Sequence, residues 1–289
     1  MKAISRKGLA MHLNRSLLYL PAANARAIEK ARTADADIVI LDLEDAVAPA
    51  AKEEARKAAT DAVNNGDWGG RRLAIRVNGF GTSWSDADFA AAAGSRVELL
   101  IVPKVNTVED AATAVAKAGG KPVWAMIETP QAVQAVDGIA AVPGITGLVA
   151  GFNDLAKDLR ITPTPDRMAL IYSASRMIVA ARAAGIAVFD GVFGDFRNPE
   201  GLAIETAQGR AFGFDGKTCI HPDQLATVNR LFTPSDRQIE EAEGLVAVWT
   251  EAERAGQGIA TYKGRMVESM HATAAREVLA LADAIRQRV

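Results

Sequence analysis

The sequence has few residues that could hold a soft metal or a disulfide framework. Its 289 residues include one cysteine and three histidines, and these are scattered along the chain. A thiolate zinc site and a histidine-rich metal cage are therefore excluded, and the single cysteine is typical of a reducing compartment. Basic charge is not in excess either, since 33 Lys and Arg stand against 35 Asp and Glu. This balance argues against a nucleic-acid-binding protein.

The sequence also lacks long apolar runs. The longest weakly polar stretch, residues 137–152, is interrupted by Pro143 and by glycines, and it is too short to span a bilayer. The basic N-terminus does not predict a secretory signal, because His12, Asn14 and Arg15 interrupt the apolar segment behind it. We expect a cytoplasmic protein without a membrane partner, in which residues 1–14 form a flexible leader.

Eight short apolar runs alternate with alanine-rich segments of helical character. The runs cover residues 16–21, 38–44, 72–78, 98–105, 122–129, 145–151, 187–193 and 214–221. Such runs, apolar almost throughout, are typical of parallel strands covered on both faces. Eight strand–helix units in about 230 residues predict a closed (β/α)₈ TIM barrel over residues 15–232. A doubly wound open sheet is the alternative, although no G-x-G-x-x-G motif follows the first run.

The chain continues beyond the predicted barrel, over residues 233–289. Two segments there repeat apolar residues at helical spacing: Ile239, Ala242, Val246 and Trp249, then Ala274, Val278, Leu281 and Ile285. Between them, residues 256–268 predict a hairpin that turns at Lys263-Gly264. We expect this C-terminal extension to bury its apolar faces on the barrel or on a neighbouring subunit, and we favour a homo-oligomer.

Charged and polar side chains gather at the ends of the predicted strands. The candidates are Asp42, Glu44, Asp45, Arg76, Asn78, Lys104, Glu128, Asn153, Asp154, Asp190, Asp215, Lys217 and His221. In barrel enzymes the site lies at the carboxyl ends of the strands, on the loops that lead to the helices. Because a charge within an apolar run is costly unless it is paired or bound to an ion, these residues predict the functional site.

Two of these carboxylates suggest a hard-cation site. Glu128 and Asp154 come from neighbouring strand ends, so both could reach one ion. Magnesium takes one or two protein carboxylates and completes its octahedron with water and substrate oxygens. Glu44 and Asp45 would then hold metal-bound water or orient Arg76. The alternative is a structural network in which the carboxylates pair with basic side chains.

Arg76 and three less promising groups complete the set of candidates. The planar fork of Arg76 suits a substrate carboxylate, and its alternative is a salt bridge to Glu44 or Asp45. Cys219 and His221 do not predict a nucleophile–base pair, because no third group that would orient them is evident. We interpret Asp215 and Lys217 as an ion pair at the barrel end, and residues 52–54 as solvated helix surface.

The order of several motifs resembles a known family. From Arg15 onwards, the chain is similar to the citrate lyase β-subunit-like branch of the HpcH/HpaI aldolase superfamily. The motifs that carry this similarity are, in chain order, RSLLYLP, DIVILDLEDAVAP, AIRVNGFGTSW, LIVPKV, WAMIET, FDGVF, GFDGKTCIHP and FTPS. The resemblance implies a (β/α)₈ enzyme, a trimer or hexamer in most members. Such enzymes use Mg²⁺ to cleave or form a C–C bond in short 3-hydroxy dicarboxylic acyl-CoA esters.

The resemblance also implies roles for particular residues. Glu128 and Asp154 would bind the metal, and Arg76 would grip the substrate carboxylate. Glu268, in Met266-Val267-Glu268, stands where the family places an Asp that acts as acid or base in a neighbouring barrel. The further residues assigned to substrate binding are Arg15, Glu44, Asp45 and Lys104.

Several activities remain open at this point. A retro-Claisen lyase acting on malyl-CoA or citramalyl-CoA is the first expectation. Asn153-Asp154-Leu-Ala-Lys157 and Val267-Glu268-x-x-His271 look most like the malyl-CoA thioesterase-type members, so a thioesterase using the same site is the second. A non-catalytic CoA-ester-binding subunit of a larger lyase complex and an aldolase for pyruvate-type free acids are further alternatives.

Overall fold

Eight parallel strands close into a barrel in the computed structural model, which describes residues 13–288. The strands are β1 (Ser16–Pro21), β2 (Ile38–Asp42), β3 (Arg72–Arg76), β4 (Leu99–Val102), β5 (Val123–Ile127), β6 (Ile145–Ala150), β7 (Ala187–Asp190) and β8 (Gly216–Cys219). Each pairs with the next, and β8 pairs with β1. The TIM-barrel prediction is confirmed. Apart from residues 13 and 14, the predicted leader lies outside the described residues.

Helices follow the strands around the barrel. They are α1 (Ala25–Ala31), α2 (Lys52–Asn65), α3 (Ser85–Gly94), α4 (Val108–Lys117), α5 (Pro130–Ala140), α6 (Phe152–Asp158), α7 (Ile171–Ala184), α8 (Pro199–Phe212) and α9 (Leu225–Phe232). Local signals set several of their starts: Thr107 and Asp110 form a reciprocal capping box for α4, and Thr129 caps α5 before a first-turn proline. Within residues 13–288, no helix is both long and apolar enough to cross a membrane.

The core has two layers, which explains why the strands are apolar on both faces. Inside the barrel, Trp124 and Phe189 stack with ring centroids 4.4 Å apart among buried aliphatic side chains of the other strands. Outside it, a larger layer lies between the strands and the alanine-rich helix faces. Because neither strand face meets water, polar residues are expected only where the strands end.

The C-terminal unit contains residues 233–288 together with Leu13, and its boundary with the barrel lies between Phe232 and Thr233. It consists of α10 (Asp236–Arg254), β9 (Ala260–Tyr262), β10 (Arg265–Val267) and α11 (Ser269–Arg288). The predicted hairpin is present. Its turn residues, Lys263 and Gly264, have φ values of 47° and 76°, as a tight hairpin turn requires.

The buried face of α11 differs from the predicted one. Ala272, Ala275 and Ala282 are buried, whereas Ala274 is exposed. The buried residues are small because α11 packs closely against α10, and Ala272 joins Trp249 and Val267 in the small core of this unit. The larger residues of the predicted face, Val278, Leu281 and Ile285, are half-exposed.

Candidate active site

A cavity of about 430 Å³ lies at the carboxyl ends of the strands. Its lining includes four carboxylates, those of Asp42, Asp45, Glu128 and Asp154, and the guanidinium of Arg76. Acidic side chains thus outnumber basic ones among the described residues that line it. The cavity lies where the strand-end residues of the sequence were expected to meet.

Arg76 is held by a residue of the neighbouring strand. Because β2 and β3 pair in a register that sets Asp42 beside Arg76, the guanidinium donates from Nε and Nη2 to the two carboxylate oxygens of Asp42, at 2.6 and 2.7 Å. The ring of Tyr19 lies 4.8 Å from the guanidinium carbon. Burial would lower the pKa of Arg76, but the hydrogen bonds and charge of Asp42 outweigh it and hold that pKa well above its ordinary value.

The remaining nitrogen of Arg76 faces two further acids. Nη1 lies 2.8 Å from Glu44 Oε2 and 3.6 Å from Asp45 Oδ2, and the Glu44 contact is ionic rather than a well-aligned hydrogen bond. The other oxygen of Glu44 accepts from Lys104 Nζ at 3.0 Å. Glu44 therefore bridges two cations, although burial still raises its pKa. The sequence left open a salt bridge from Arg76 to Glu44 or Asp45. Arg76 makes that contact and also a two-point hydrogen bond to Asp42.

Glu128 is buried at the end of β5, where it is 2% exposed. Its Oε1 accepts from the backbone N–H of Lys104 at 2.6 Å, and Lys104 adopts the left-handed conformation, with φ 52°. Burial and then the nearby charge of Glu44 raise the pKa of Glu128 to about 7. Both effects disfavour the ionised carboxylate, so a positive charge beside Glu128 would be favourable.

Gly151 lets Glu128 occupy this position. A β-carbon on Gly151 would lie 2.3 Å from Glu128 Cβ and 2.6 Å from Oε2, closer than side-chain atoms can approach. The missing side chain thus leaves room for the carboxylate beside the start of α6. Asp154 stands in the first turn of the same helix, half-exposed, and lines the same cavity.

The donor set at this point fits a hard divalent cation. Glu128 and Asp154 supply carboxylate oxygens, and an octahedral Mg²⁺ would need water or substrate oxygens for its other positions. Residues 13–288 contain no cluster of three or more His, Cys, Asp or Glu suited to a metal, so a site made only of protein ligands is not present among them. The acidic excess of the lining and the raised pKa of Glu128 both favour an added positive charge.

Arg15 does not belong to this cavity. It precedes β1, and its Nε and Nη2 donate to Asp37 at 3.0 and 2.9 Å. Asp37 in turn precedes β2, so the pair lies at the amino ends of the strands, away from the cavity. This placement corrects the assignment of Arg15 to substrate binding: the side chain is buried in an ion pair that ties two strand starts together.

The prediction that Asp215 pairs with Lys217 is wrong. Asp215 lies before β8 and pairs with Arg182 at 2.8 Å. Lys217, buried within β8, instead lies 3.1 Å from Asp190 and 2.7 Å from Glu205. Residues two apart in a strand share a face, but each finds a nearer partner on the elements packed beside it.

Cys219 and His221 form no nucleophile–base pair. Burial raises the pKa of the Cys219 thiol to about 12, so it is not a ready thiolate. The Nδ1 of His221 accepts from the backbone N–H of Asp223 at 3.2 Å and caps the short 3₁₀ helix Pro222–Gln224.

Sequence reasoning missed Lys52, which was interpreted as surface. It is 5% exposed, and its ammonium donates at 2.7 Å to the backbone oxygens of Leu43 and Glu44 and to Asn78 Oδ1. These bonds fix the loop that carries Glu44 and Asp45. The signal was available, because Lys52 shares the helix face of the buried Ala55 and Ala59.

Glu268 belongs to the C-terminal unit, just before α11. Its backbone N–H donates to His271 Nδ1 at 3.0 Å, and its side chain is half-exposed. The described residues that line the cavity come from the barrel. The structure of one chain therefore does not place Glu268 in the cavity lining.

Comparisons with known proteins show which family the chain resembles. Residues 15–222 match the family model HpcH/HpaI aldolase/citrate lyase. A (3S)-malyl-CoA thioesterase of Cereibacter sphaeroides is 45% identical over 95% of this chain and 96% of its own length. An L-malyl-CoA/beta-methylmalyl-CoA lyase of the same species is 33% identical over 88% and 90%.

A solved structure extends the likeness to three dimensions. The protein CitE of Mycobacterium tuberculosis, in complex with magnesium, acetoacetate and coenzyme A, is 31% identical and covers 94% of this chain and 98% of its own, with a TM-score of 0.79. Together with the family model, these matches confirm the resemblance drawn from the motifs. The chain belongs to the HpcH/HpaI aldolase/citrate lyase family.

Proposed function

We propose that the protein is a Mg²⁺-dependent enzyme that hydrolyses the thioester of a short 3-hydroxy dicarboxylic acyl-CoA such as malyl-CoA. The observation that carries the proposal is the buried Glu128, which lines the same cavity as Asp154 and whose raised pKa suits an added positive charge. Thioester hydrolysis is preferred because the thioesterase relative is 45% identical, against 33% for the lyase.

Glu128 and Asp154 would hold the metal. When bound, Mg²⁺ supplies Lewis-acid charge to the oxygens of the acyl group. The protein holds Glu128 in position for this role. The backbone N–H of Lys104 donates to one carboxylate oxygen of Glu128, and Gly151 leaves space for the other oxygen. The Mg²⁺ complex of the M. tuberculosis relative supports the same assignment.

Arg76 and Lys104 would receive the distal carboxylate of the acyl group. Asp42 occupies Nε and Nη2 of Arg76, so a substrate carboxylate would bind on the Nη1 side, where Glu44 now lies. The Lys104 side chain is 47% exposed and can turn towards the same carboxylate. Asp42 thereby orients the guanidinium, and the substrate carboxylate would displace Glu44 from Nη1 of Arg76.

Glu268 would activate water against the thioester, from a neighbouring copy of the chain. A carboxylate is a suitable general base when it lies within hydrogen-bond reach of the water. Coexpression of E128Q with E268Q subunits tests this proposal, because mixed oligomers can combine an intact metal site with an intact Glu268. We expect each variant alone to be inactive and the mixture to recover activity; inactive mixed oligomers would contradict action between subunits.

A lyase reaction is the second candidate, favoured by the 33% identity to a malyl-CoA lyase over most of both chains. It would use the same cation and Arg76, and Glu268 would protonate the departing enolate of acetyl-CoA. The two reactions differ in products: malate and free CoA from hydrolysis, or glyoxylate and acetyl-CoA from cleavage. Purified protein incubated with malyl-CoA and Mg²⁺, and analysed by mass spectrometry, separates them.

The metal assignment is tested with matched variants. We expect E128Q and D154N to abolish turnover and to lose Mn²⁺ binding in calorimetry, while D158N, an exposed acid on the same helix α6, retains both. Turnover of malyl-CoA by E128Q in the presence of EDTA would refute the proposal. Absence of turnover by the pure wild-type protein would instead favour a non-catalytic subunit.

A further inference from the structure

Tyr19 lines the candidate active site and has no role in the chemistry described above. It lies in β1, and its half-buried side chain packs against the core inside the barrel. Arg76 at the end of β3 and Met126 in β5 line the same cavity. Because alternate strands supply the side chains of one layer inside a TIM barrel, these three residues meet although they are far apart in the sequence.

Two hydrogen-bond donors converge on the sulfur of Met126. The Tyr19 hydroxyl donates to Met126 Sδ at 3.8 Å, and Arg76 Nη1 donates to the same atom at 3.9 Å. The guanidinium carbon of Arg76 lies 4.8 Å from the centre of the Tyr19 ring, so the two side chains also pack on each other. Tyr19 and Arg76 therefore form a pair whose polar atoms are directed at one place in the cavity wall.

A thioether sulfur is a weak acceptor for these two donors. A carboxylate oxygen accepts hydrogen bonds from a guanidinium or a hydroxyl more strongly than sulfur does. The methionine side chain is unbranched and adapts easily to a new neighbour. An anionic oxygen that enters the cavity can therefore take over both hydrogen bonds while Met126 turns aside.

The other contacts of Arg76 restrict where such an oxygen would bind. Asp42 occupies Nε and Nη2, which leaves Nη1 for a ligand. A carboxylate held by Nη1 has a second oxygen, and the Tyr19 hydroxyl is the donor that shares an acceptor with Nη1. Burial raises the pKa of Tyr19 although the charge of Arg76 opposes it, so the hydroxyl keeps its proton and remains a donor.

We propose that the Tyr19 hydroxyl donates a hydrogen bond to the distal carboxylate of the acyl group, beside Arg76 Nη1. The inference rests on the proposed function, since it takes the substrate to be a dicarboxylic acyl-CoA. Tyr19 is then a specificity-determining residue, which favours an acyl chain that ends in a carboxylate over one that ends in a methyl group. A hydrogen bond to a charged group changes affinity by about tenfold or more.

The test uses two CoA thioethers, which have no thioester to hydrolyse and differ only at the far end of the chain. S-(3-carboxypropyl)-CoA ends in a carboxylate, and S-butyl-CoA ends in a methyl group. Calorimetry with Mg²⁺ present compares their binding to wild-type protein, Y19F and Y172F. Y19F keeps the ring that packs on Arg76 and removes only the hydroxyl. Tyr172, 59% exposed on α7 and not among the described residues that line the cavity, gives the matched control.

The expected result is a change in preference rather than a general loss of binding. We expect wild-type protein and Y172F to bind the carboxylate ligand more tightly than the methyl ligand. In Y19F this preference should fall by about tenfold, with the affinity for S-butyl-CoA unchanged. A preference that is the same in Y19F as in wild-type protein, or equal losses for both ligands, would overturn the inference.

Assays with malyl-CoA separate this inference from the proposed function. We expect Y19F to raise KM for malyl-CoA more than it lowers kcat, because the hydrogen bond is made in the bound substrate as well as in the transition state. If wild-type protein does not turn over malyl-CoA but its preference for the carboxylate ligand depends on Tyr19, the proposed reaction fails and the role of Tyr19 stands. If malyl-CoA is turned over and the preference survives in Y19F, the proposed function stands and the inference fails.

Discussion

Replacement of Gly151 with alanine should damage the candidate metal site without touching a charged residue. The new β-carbon would stand 2.3 Å from Glu128 Cβ and 2.6 Å from Oε2. Ordinary contacts between such atoms are close to 3.5 Å or longer, so Glu128 has to move by about 1 Å. Gly151 has a φ of −102°, outside the left-handed region that favours glycine, so the expected effect of G151A comes from the new contacts of the β-carbon.

A displacement of this size is large for a catalytic ligand. Misplacement by about 1 Å can lower a rate by about 100-fold, and we expect kcat/KM for malyl-CoA to fall by about this factor in G151A. Overpacking should also cost about 1–3 kcal/mol of folding free energy. Steady-state assays and Mn²⁺ calorimetry measure the first effect, and urea unfolding measures the second.

A second glycine provides the control. Gly94 ends α3, and a β-carbon placed there meets nothing within 4 Å. We expect G94A to keep the wild-type rate and Mn²⁺ affinity. If G151A binds Mn²⁺ and turns over substrate as G94A does, the carboxylate of Glu128 does not have to occupy its observed position, and the reasoning from the cavity fails.

Three further perturbations test the supports of the site. K52M should lower the free energy of unfolding by about 3 kcal/mol in urea titrations, because three buried acceptors lose their donor. Native Cys219 should resist Ellman's reagent at pH 8 and react once unfolded. Since its folded pKa of about 12 exceeds the ordinary thiol pKa of 9.0, stability should fall as pH rises from about 9, and less so in C219A. K104G should keep the fold, because glycine favours φ 52°, yet weaken substrate binding in KM measurements.

Each of these perturbations has an informative opposite outcome. K117M is the control for K52M: the Lys117 ammonium is partly exposed and makes one ion pair with Asp86, so it should cost about 0.5 kcal/mol, and an equal loss in both variants would contradict the structural role of Lys52. Rapid labelling of native Cys219 would show that β8 opens readily. A K104G protein less stable than wild type would mean that the side-chain contacts of Lys104 outweigh its backbone strain.

The barrel could be predicted because its strands are buried on both faces. Continuous apolar runs that alternate with helices fit a closed barrel or a doubly wound open sheet, and the count of eight units without a G-x-G-x-x-G motif favours the barrel. The start of α7 is harder to predict: Pro165 and the left-handed backbone of Arg167 precede the helix, which begins only at Ile171. A hydrophobic pattern does not predict local backbone conformation of this kind.

The sequence predicted some of the cavity-lining residues but not their pairings. The position of a charge at a strand end is a property of the sequence, and Glu128, Asp154 and Arg76 do line one cavity. The partner of Arg76 depends on the register between β2 and β3, which sets Asp42 beside it. A register is fixed by packing across the whole barrel, and the sequence of one strand does not contain it.

The charge of the cavity also bears on the choice between the two candidate reactions. Arg76 is already neutralised by Asp42, so the lining keeps a surplus of negative charge that would repel a dicarboxylic acyl group. On the proposed function, hydrolysis and C–C cleavage would share a cation held by Glu128 and Asp154, so that cation cannot decide between them. The decision falls to the group that activates water or delivers a proton, so we expect the products formed by the wild-type protein to distinguish the two reactions, whereas E128Q and E268Q should each lose both product pairs.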